Sequence, residues 1–389
     1  MSTFKHMDEL LQSFVDNKEM GPAGCGCAIA QNGKIIYEGY YGYADIESKK
    51  PITADSVYRQ FSMTKIAIYT VLMMLIEEGK ILPQDPIYKF FPEWKKTNKF
   101  VVKEDGTVAV EPLQNPILVE HIMNMSCGLP YGHFPDGTPT GNAIYEIEKK
   151  LKDAGEYTVR DEIRAVSNVP VAFEPGTHWM YGFGSELAAG VIEVVTGKYI
   201  EDAVKDYLLN PLEMNDTGML YRGDIKDRLV TFYYRKDGKL IPGAAAMDEK
   251  AVPGGPQSGC PRLYSSVRDY MKFTQMLANG GVYNGKQIIG AKTIDLMRAN
   301  RLDETQLKDF RNPYLDGYGY GLGVRTMMSH ALGNSNSSIG EFGWTGGSGT
   351  WASIDPSERF SVVYMHNMAP NNELYHHLRV RACAYGCIE

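Results

Sequence analysis

At residue 61 the sequence reads Phe61-Ser62-Met63-Thr64-Lys65 and continues as a nearly uninterrupted apolar run over residues 66–76. A serine and a lysine three positions apart lie on one face of a helix, so a first helical turn would bring a hydroxyl next to an amine. Because the following run is apolar on all sides, we expect the helix to be buried and its start to be held rigidly. The segment therefore predicts a nucleophile beside a base at the beginning of a central helix.

The Ser-x-x-Lys pattern is a weak signal by itself. A chain of this size contains about one match by chance, and Ser2-Thr3-Phe4-Lys5 is such a match. A serine in this position is commonly the N-cap of the helix. The rest of the sequence has to decide between a cap and a nucleophile.

The composition is that of a globular protein with one large core or two lobes. The 389 residues are 43% hydrophobic and 22% charged, and 40 Lys and Arg face 47 Asp and Glu, for a formal net charge of −7. No cluster of basic residues stands out, which argues against a nucleic-acid partner. No apolar run reaches the length of a membrane span and no signal peptide is visible, so we expect a cytoplasmic protein. The oligomeric state stays open.

The cysteines do not have the paired Cys-x-x-Cys spacing of a zinc site. They are Cys25, Cys27, Cys127, Cys260, Cys383 and Cys387. We interpret them as reduced, mostly buried thiols. A metal site formed by Cys25, Cys27, Cys383 and Cys387 is the alternative, and the sequence otherwise predicts neither a metal nor a cofactor.

Strand-like segments near both ends of the chain predict one antiparallel sheet. Residues 24–30 and 34–43 are separated by Asn32-Gly33, a pair typical of a tight hairpin. Residues 318–324 and 360–366 are further strand candidates, and a closing helix begins at about residue 371. The largely helical middle of the chain would be an insertion between these strands.

Two loops contain further candidate site residues. Tyr181 lies in a turn over residues 173–185 ahead of a helix, where a tyrosine is usually a packing residue. Tyr131 and Phe134 lie in a segment rich in glycine, proline and aromatic residues over residues 131–142. This segment is either a packed surface loop or the lining of a pocket.

Three separated segments together resemble the serine β-lactamase and penicillin-binding-protein superfamily, especially its class C β-lactamase-like esterases. They are Ser62-Met63-Thr64-Lys65, Tyr181-Gly182-Phe183 and Trp344-Thr345-Gly346-Gly347, in the order and approximate spacing of the family's three boxes. The resemblance implies an α+β fold in which an antiparallel β-sheet flanked by helices packs on an all-helical subdomain. We expect one catalytic unit over residues 1–389, with a sheet lobe at about 1–58 and 265–389 and a helical lobe at about 59–264.

The resemblance also implies roles for individual residues. Ser62 would be the acyl-forming nucleophile, Lys65 and Tyr181 would handle its proton, and the backbone N–H groups of Ser62 and Gly347 would hold the oxyanion. Free lysine and tyrosine titrate near 10, so a base acting at pH 7 needs a pKa lowered by about three units, or about 4 kcal/mol. Burial of Lys65 beside Tyr181 would share this cost. Which of the two is the formal base stays open.

Two departures from the family pattern concern the substrate. Phe183 occupies the position of an asparagine in β-lactamases, and Trp344 occupies the position of a lysine that would meet a substrate carboxylate. Losing a hydrogen bond to a charged group costs about 1.5 to 3 kcal/mol, which would weaken carboxylate substrates by about ten- to hundredfold. The predicted substrate-binding residues are Trp344, Thr345, Gly346, Phe183, Tyr131 and Phe134.

The first hypothesis is therefore a cofactor-free serine hydrolase that cleaves carboxylic esters through an acyl-enzyme on Ser62, with acyl transfer to an alcohol as a further outcome. The main alternative is a β-lactamase or D-amino-peptide hydrolase, which keeps the chemistry and changes the substrate. In both, the partner is a small-molecule ester or amide. A third hypothesis is a non-catalytic binding protein on the same fold.

Overall fold

The computed structural model describes residues 4–132, 135–155, 157–221, 223–245, 247–248 and 262–388. These residues form an α+β structure of thirteen α-helices and seventeen strands, which confirms the predicted fold class. The helices are α1 (Lys5–Asp16), α2 (Thr64–Glu77), α3 (Val119–Met123), α4 (Pro139–Ala154), α5 (Val159–Val166), α6 (Gly184–Thr196), α7 (Ile200–Val204), α8 (Ile225–Arg228), α9 (Val267–Ala278), α10 (Ala291–Arg298), α11 (Glu304–Phe310), α12 (His330–Gly333) and α13 (Glu373–Tyr385). The strands are β1 (Gly24–Gln31), β2 (Lys34–Asp45), β3 (Lys50–Pro51), β4 (Val57–Arg59), β5 (Asn98–Val102), β6 (Val108–Pro112), β7 (Tyr233–Lys236), β8 (Lys239–Pro242), β9 (Tyr264–Ser266), β10 (Val282–Tyr283), β11 (Lys286–Gln287), β12 (Tyr318–Tyr320), β13 (Arg325–Met327), β14 (Phe342–Thr345), β15 (Trp351–Asp355), β16 (Phe360–Met365) and β17 (Met368–Ala369).

The main sheet joins early and late parts of the chain. It has eight strands in the order β12-β13-β14-β15-β16-β1-β2-β3, and each neighbouring pair is antiparallel. At the junction, Gly26 of β1 lies opposite Met365 of β16. The predicted antiparallel sheet shared by the two ends is therefore confirmed.

The first hairpin forms where the sequence predicts it. β1 and β2 pair directly, and the connecting residues Asn32 and Gly33 have φ angles of 52° and 80°. Two successive positive φ values are what a tight hairpin turn requires, and asparagine and glycine adopt them at low cost.

α2 is the buried helix predicted from the apolar run. Every side chain from Thr64 to Leu75 is buried, and each large apolar side chain removed from water contributes about 1.5 to 3 kcal/mol. Ser62 lies immediately before α2, in a short 3₁₀ turn over Phe61–Met63 that runs directly into the helix. The helix therefore anchors the chain immediately after the serine.

Two predicted elements are shorter than the sequence indicated. The sequence over residues 144–169 predicts one helical region, which the structure divides into α4 and α5 after Gly155, whose φ of 109° is incompatible with a helix. The strand predicted over residues 318–324 ends at Tyr320, because Gly321 packs against the backbone of Met297 and Gly323 has a φ of 89°. In both cases a glycine turns the chain.

The structure tests the remaining expectations only for the residues that it describes. None of the helices in the described ranges is long and apolar enough to cross a membrane. The five described cysteines are free thiols, Cys260 lies outside the described residues, and no metal-binding group of three His, Cys, Asp or Glu side chains occurs among the residues described. The division into lobes at about residues 58 and 264 stays a prediction.

Candidate active site

Ser62 lies at a sharp bend between β4 and α2 and is partly exposed. The preceding residue, Phe61, has a φ of 46°, and a non-glycine residue in this region costs about 1 to 3 kcal/mol. Leu263 holds both sides of the bend: its carbonyl accepts from Gln60 N (2.8 Å) and its N–H donates to Thr64 Oγ1 (3.0 Å). The surrounding structure thus maintains a strained backbone that presents the Ser62 hydroxyl.

Lys65 is completely buried beside this hydroxyl. Its Nζ lies 3.4 Å from Ser62 Oγ and 2.5 Å from the hydroxyl of Tyr131. It also lies 4.8 Å from the ring centre of Tyr181 and 5.2 Å from that of Tyr131. The structure therefore brings together the three predicted catalytic residues and adds Tyr131, which the sequence had placed only among the substrate-binding residues.

Tyr131 reaches Lys65 because two loops lie side by side. The turn over residues 124–130 makes backbone hydrogen bonds to residues 176–183, the segment that contains Tyr181. A Cβ on Gly182 would overlap a carbonyl oxygen of that turn, so a glycine is needed for this approach. Tyr131 directly follows the turn, and its ring meets that of Tyr181 edge-on at 5.7 Å.

Tyr181 packs against two indole rings. Trp344 Nε1 donates a hydrogen bond to the Tyr181 hydroxyl oxygen at 3.0 Å, and the two ring centres are 5.5 Å apart. The ring of Trp179 also stacks on that of Tyr181, with the two ring centres 6.0 Å apart. Because an indole N–H only donates, the Tyr181 oxygen accepts from Trp344 and its own proton stays available for another acceptor.

The turn between β14 and β15, residues 346–349, is called the glycine turn below. A Cβ on Gly346 would overlap the carbonyl oxygen of Gln60, so this buried glycine lets the turn pack against the chain just before Ser62. Gly347 is exposed, and a Cβ there would meet no atom within 4 Å. Within the described ranges no hydrogen bond uses the Gly347 N–H. It is thus available to hold an oxyanion, as predicted.

Three buried histidines, the histidine cluster, pack behind the glycine turn. They are His366, His376 and His377. His377 Nε2 lies 3.2 Å from the carbonyl oxygen of Gly349, and a Cβ on Gly349 would overlap the ring of His366. A carbonyl oxygen only accepts, so Nε2 of His377 carries the proton. Burial keeps the pKa of His377 well below its usual value, and the ring is neutral at pH 7.

Thr345, at the end of β14, contacts the first turns of α13. Its Oγ1 lies 3.4 Å from Glu373 Oε2 and 3.4 Å from His377 Nδ1. Burial raises the pKa of the Glu373 carboxyl. The sequence analysis did not identify either residue of α13. Glu373 and His377 are four residues apart and so share one face of α13, but this spacing does not indicate that the face contacts β14.

The remaining predicted substrate-binding residues differ in their placement. Thr345 is partly exposed, and Trp344 has 5% of its surface exposed. Phe183 has only 1% of its surface exposed and belongs to the main hydrophobic core, so its side chain is not accessible to a substrate. Phe134 lies outside the described residues.

Comparisons with known proteins show the family and the fold of the chain. The profile of the family described as Beta-lactamase matches residues 7–383. The sequence is 24% identical over 373 residues to Esterase EstB of Burkholderia gladioli, covering 90% of this chain and 88% of that protein. The structure of EstCE1, described as a hydrolase with promiscuous acyltransferase activity, matches with a TM-score of 0.82 at 23% identity, covering 99% of this chain and 98% of that one. Unliganded simvastatin synthase (LovD) of Aspergillus terreus, as its selenomethionyl derivative, matches with a TM-score of 0.83 at 18% identity and the same coverage. The chain belongs to the beta-lactamase family.

Proposed function

We propose that this protein is a serine hydrolase that cleaves carboxylic esters through an acyl-enzyme on Ser62. The observation that carries the proposal is the position of Lys65, a buried amine 3.4 Å from the Ser62 hydroxyl and 2.5 Å from the Tyr131 hydroxyl. A serine hydroxyl needs a base to become a nucleophile, and this arrangement supplies one. The similarity to a protein named Esterase EstB supports the choice of substrate class.

The first half of the reaction forms the acyl-enzyme. Ser62 Oγ attacks the ester carbonyl and its proton passes to the group formed by Lys65 and the two tyrosines. The carbonyl oxygen becomes an oxyanion that accepts hydrogen bonds from the N–H groups of Ser62 and Gly347. Preorganised donors of this kind lower the barrier by about 2.7 to 4 kcal/mol each.

The proton then goes to the leaving alcohol. Collapse of the tetrahedral intermediate breaks the ester C–O bond, and the alkoxide takes a proton from the Tyr181 hydroxyl, whose oxygen is held by Trp344 Nε1 at 3.0 Å. Lys65, with the ring centre of Tyr181 at 4.8 Å, restores that proton. In the second half, water attacks the acyl group by the same steps in reverse. An alcohol in place of water would give acyl transfer.

The site favours esters over β-lactams because of the group at position 344. A β-lactam carries a carboxylate, and an indole N–H already bonded to Tyr181 cannot provide the charge-assisted hydrogen bond that an ammonium would give. Trp344 instead contributes an apolar face, which suits a neutral acyl chain. β-Lactam or D-amino-peptide hydrolysis is the second candidate, and the experiment below compares the two.

The proposal is tested by initial rates on para-nitrophenyl butyrate and on a chromogenic cephalosporin. We expect wild type to hydrolyse the ester, Ser62→Ala to lose the activity, and Ser13→Ala, which changes an exposed serine of α1, to retain it. Labelling with a fluorophosphonate, followed by mass spectrometry, should place the modification on Ser62. Ester hydrolysis that survives Ser62→Ala would overturn the proposal, and faster turnover of the cephalosporin would favour the second candidate.

A further inference from the structure

Glu373 is a carboxylate with spare hydrogen-bonding capacity beside the proposed site. It lies in the first turn of α13 and is half-buried. Its Oε2 receives only two long hydrogen bonds, from Thr345 Oγ1 at 3.4 Å and from Asn371 Nδ2 at 3.5 Å. Oε1 accepts none from the part of the chain that the structure describes. Because an ionised carboxylate has about four acceptor sites, most of its capacity is unused.

The neighbouring hydroxyl of Thr345 supplies Glu373 with one long hydrogen bond at most. Three acceptors surround Thr345 Oγ1: the carbonyl oxygen of Thr350 at 3.2 Å, Glu373 Oε2 at 3.4 Å and His377 Nδ1 at 3.4 Å. A hydroxyl has one proton, so two of these acceptors need other donors. His377 Nδ1 has the Tyr314 hydroxyl at 3.2 Å, and Thr350 O receives the Gly346 N–H at 2.7 Å. The Thr345 proton is therefore available to Glu373 Oε2, over a long distance of 3.4 Å, and Oε1 is the carboxylate oxygen that receives no donor from the described residues.

No cation among the described residues donates a hydrogen bond to Glu373; burial raises the pKa of its carboxyl by more than the charge of Arg325 lowers that pKa. Arg325 is buried and bonds to Glu341 and the carbonyl oxygen of Ala352. Arg381 donates to Tyr318 OH, and the neutral His377 brings no positive charge. A partly buried carboxylate without a strong donor is unfavourable, so a ligand that supplies one would be stabilised here.

Glu373 also contacts a residue of β14 whose sequence neighbours belong to the proposed site. Thr345, which it contacts, directly follows Trp344, the partner of Tyr181, and precedes the glycine turn, which contains the proposed oxyanion donor Gly347. A substrate on Ser62 would therefore lie against this end of β14.

We propose that Glu373 makes the site selective for esters that carry a positively charged group and against esters that carry a carboxylate. This inference rests on the proposed ester hydrolysis at Ser62 and adds the charge class of the substrate. Opposite charges in a partly desolvated cleft attract, and like charges repel. The selectivity follows from the negative charge of one side chain, Glu373.

The test uses three para-nitrophenyl esters with chains of matched length. One carries a gamma-trimethylammonio group on butyrate, the second has a tert-butyl group in place of the trimethylammonio group, and the third is the glutarate monoester. We expect wild-type kcat/KM to fall by about tenfold from the cationic to the neutral ester and again to the anionic one, in line with a single screened charge interaction. Ser62→Ala serves as the blank.

Glu373→Gln should bring the cationic-to-neutral ratio to about one and should raise turnover of the anionic ester, a gain that a misfolded variant could not give. Glu358→Gln makes the same change at an exposed carboxylate between β15 and β16 and should keep the wild-type ratios. A wild-type ratio near one, or identical ratios in wild type and Glu373→Gln, would overturn the inference. If no ester is hydrolysed in a Ser62-dependent way, the proposed function fails instead, so the two failures are distinguishable.

Discussion

Replacing Trp344 with phenylalanine would remove the hydrogen bond to Tyr181 and keep an aromatic ring in place. The bond from Trp344 Nε1 is 3.0 Å long and lies inside the site. When the Tyr181 oxygen gains negative charge during proton transfer, a bond of this kind contributes about 1.5 to 3 kcal/mol. We therefore expect kcat to fall by about ten- to hundredfold. KM should change little, because the loss falls on the transition state.

Trp179→Phe is the matched control. Trp179 also stacks on Tyr181, with ring centres 6.0 Å apart, and its Nε1 is buried with no hydrogen-bond partner among the described residues. The substitution removes the same atoms but no hydrogen bond, so its kcat should stay within about threefold of wild type. The assay is Ser62-dependent hydrolysis of para-nitrophenyl butyrate, with thermal unfolding of both variants measured in parallel. Equal losses of kcat in the two variants would show that ring packing, and not the indole N–H, supports Tyr181.

Three further predictions concern the base, the glycine turn and the histidine cluster. Tyr131→Phe removes the hydroxyl 2.5 Å from Lys65 Nζ and should lower kcat by about ten- to hundredfold. It should also shift the pH dependence of kcat, which would not change if Tyr131 had a purely structural role. Gly346→Ala should lower the free energy of unfolding in urea by about 1 to 3 kcal/mol, because its Cβ overlaps neighbouring atoms, whereas Gly347→Ala should change it by less than about 0.5 kcal/mol. Burial lowers the pKa of all three cluster histidines, that of His376 to about 4, so below about pH 6.5 the unfolded chain binds more protons than the folded one. Stability should fall by about 4 kcal/mol from about pH 7 to about pH 5.5, and a free energy of unfolding that is constant over this range would contradict the neutral cluster.

The sequence predicted those parts of the fold that depend on local pattern. The apolar run after Lys65 marks a helix buried on all sides, and Asn32-Gly33 marks a hairpin because few other residues accept two positive φ values. The three boxes predicted the neighbours of Ser62 because a particular chemistry needs particular side chains. The signals for the helix and the hairpin each lie within a few residues, whereas the three boxes are far apart in the sequence and were connected through the family resemblance.

The contacts that the sequence did not predict join distant positions. Tyr131 touches Lys65 from 66 residues away, and only the packing of two loops around Gly182 brings them together. Glu373 meets Thr345 because α13 lies beside the end of β14, which no periodicity in α13 indicates. The prediction that the strand ending at Tyr320 continues to residue 324 was wrong for a similar reason, because the backbone that approaches Gly321 belongs to α10.

The pairing of β1 with β16 has a consequence for the order in which the protein becomes active during synthesis. Ser62 and Lys65 leave the ribosome early and can enter α2 while the chain is still growing. The glycine turn and β16 follow only after residue 345, and β1 has no partner on that side until residues 360–365 are made. Because paired strands so far apart in sequence form late in folding, the nascent chain contains the proposed nucleophile Ser62 but lacks Gly347, one of the two proposed oxyanion donors. The proposed hydrolysis would therefore begin only after residues 360–365 have been synthesised and paired with β1.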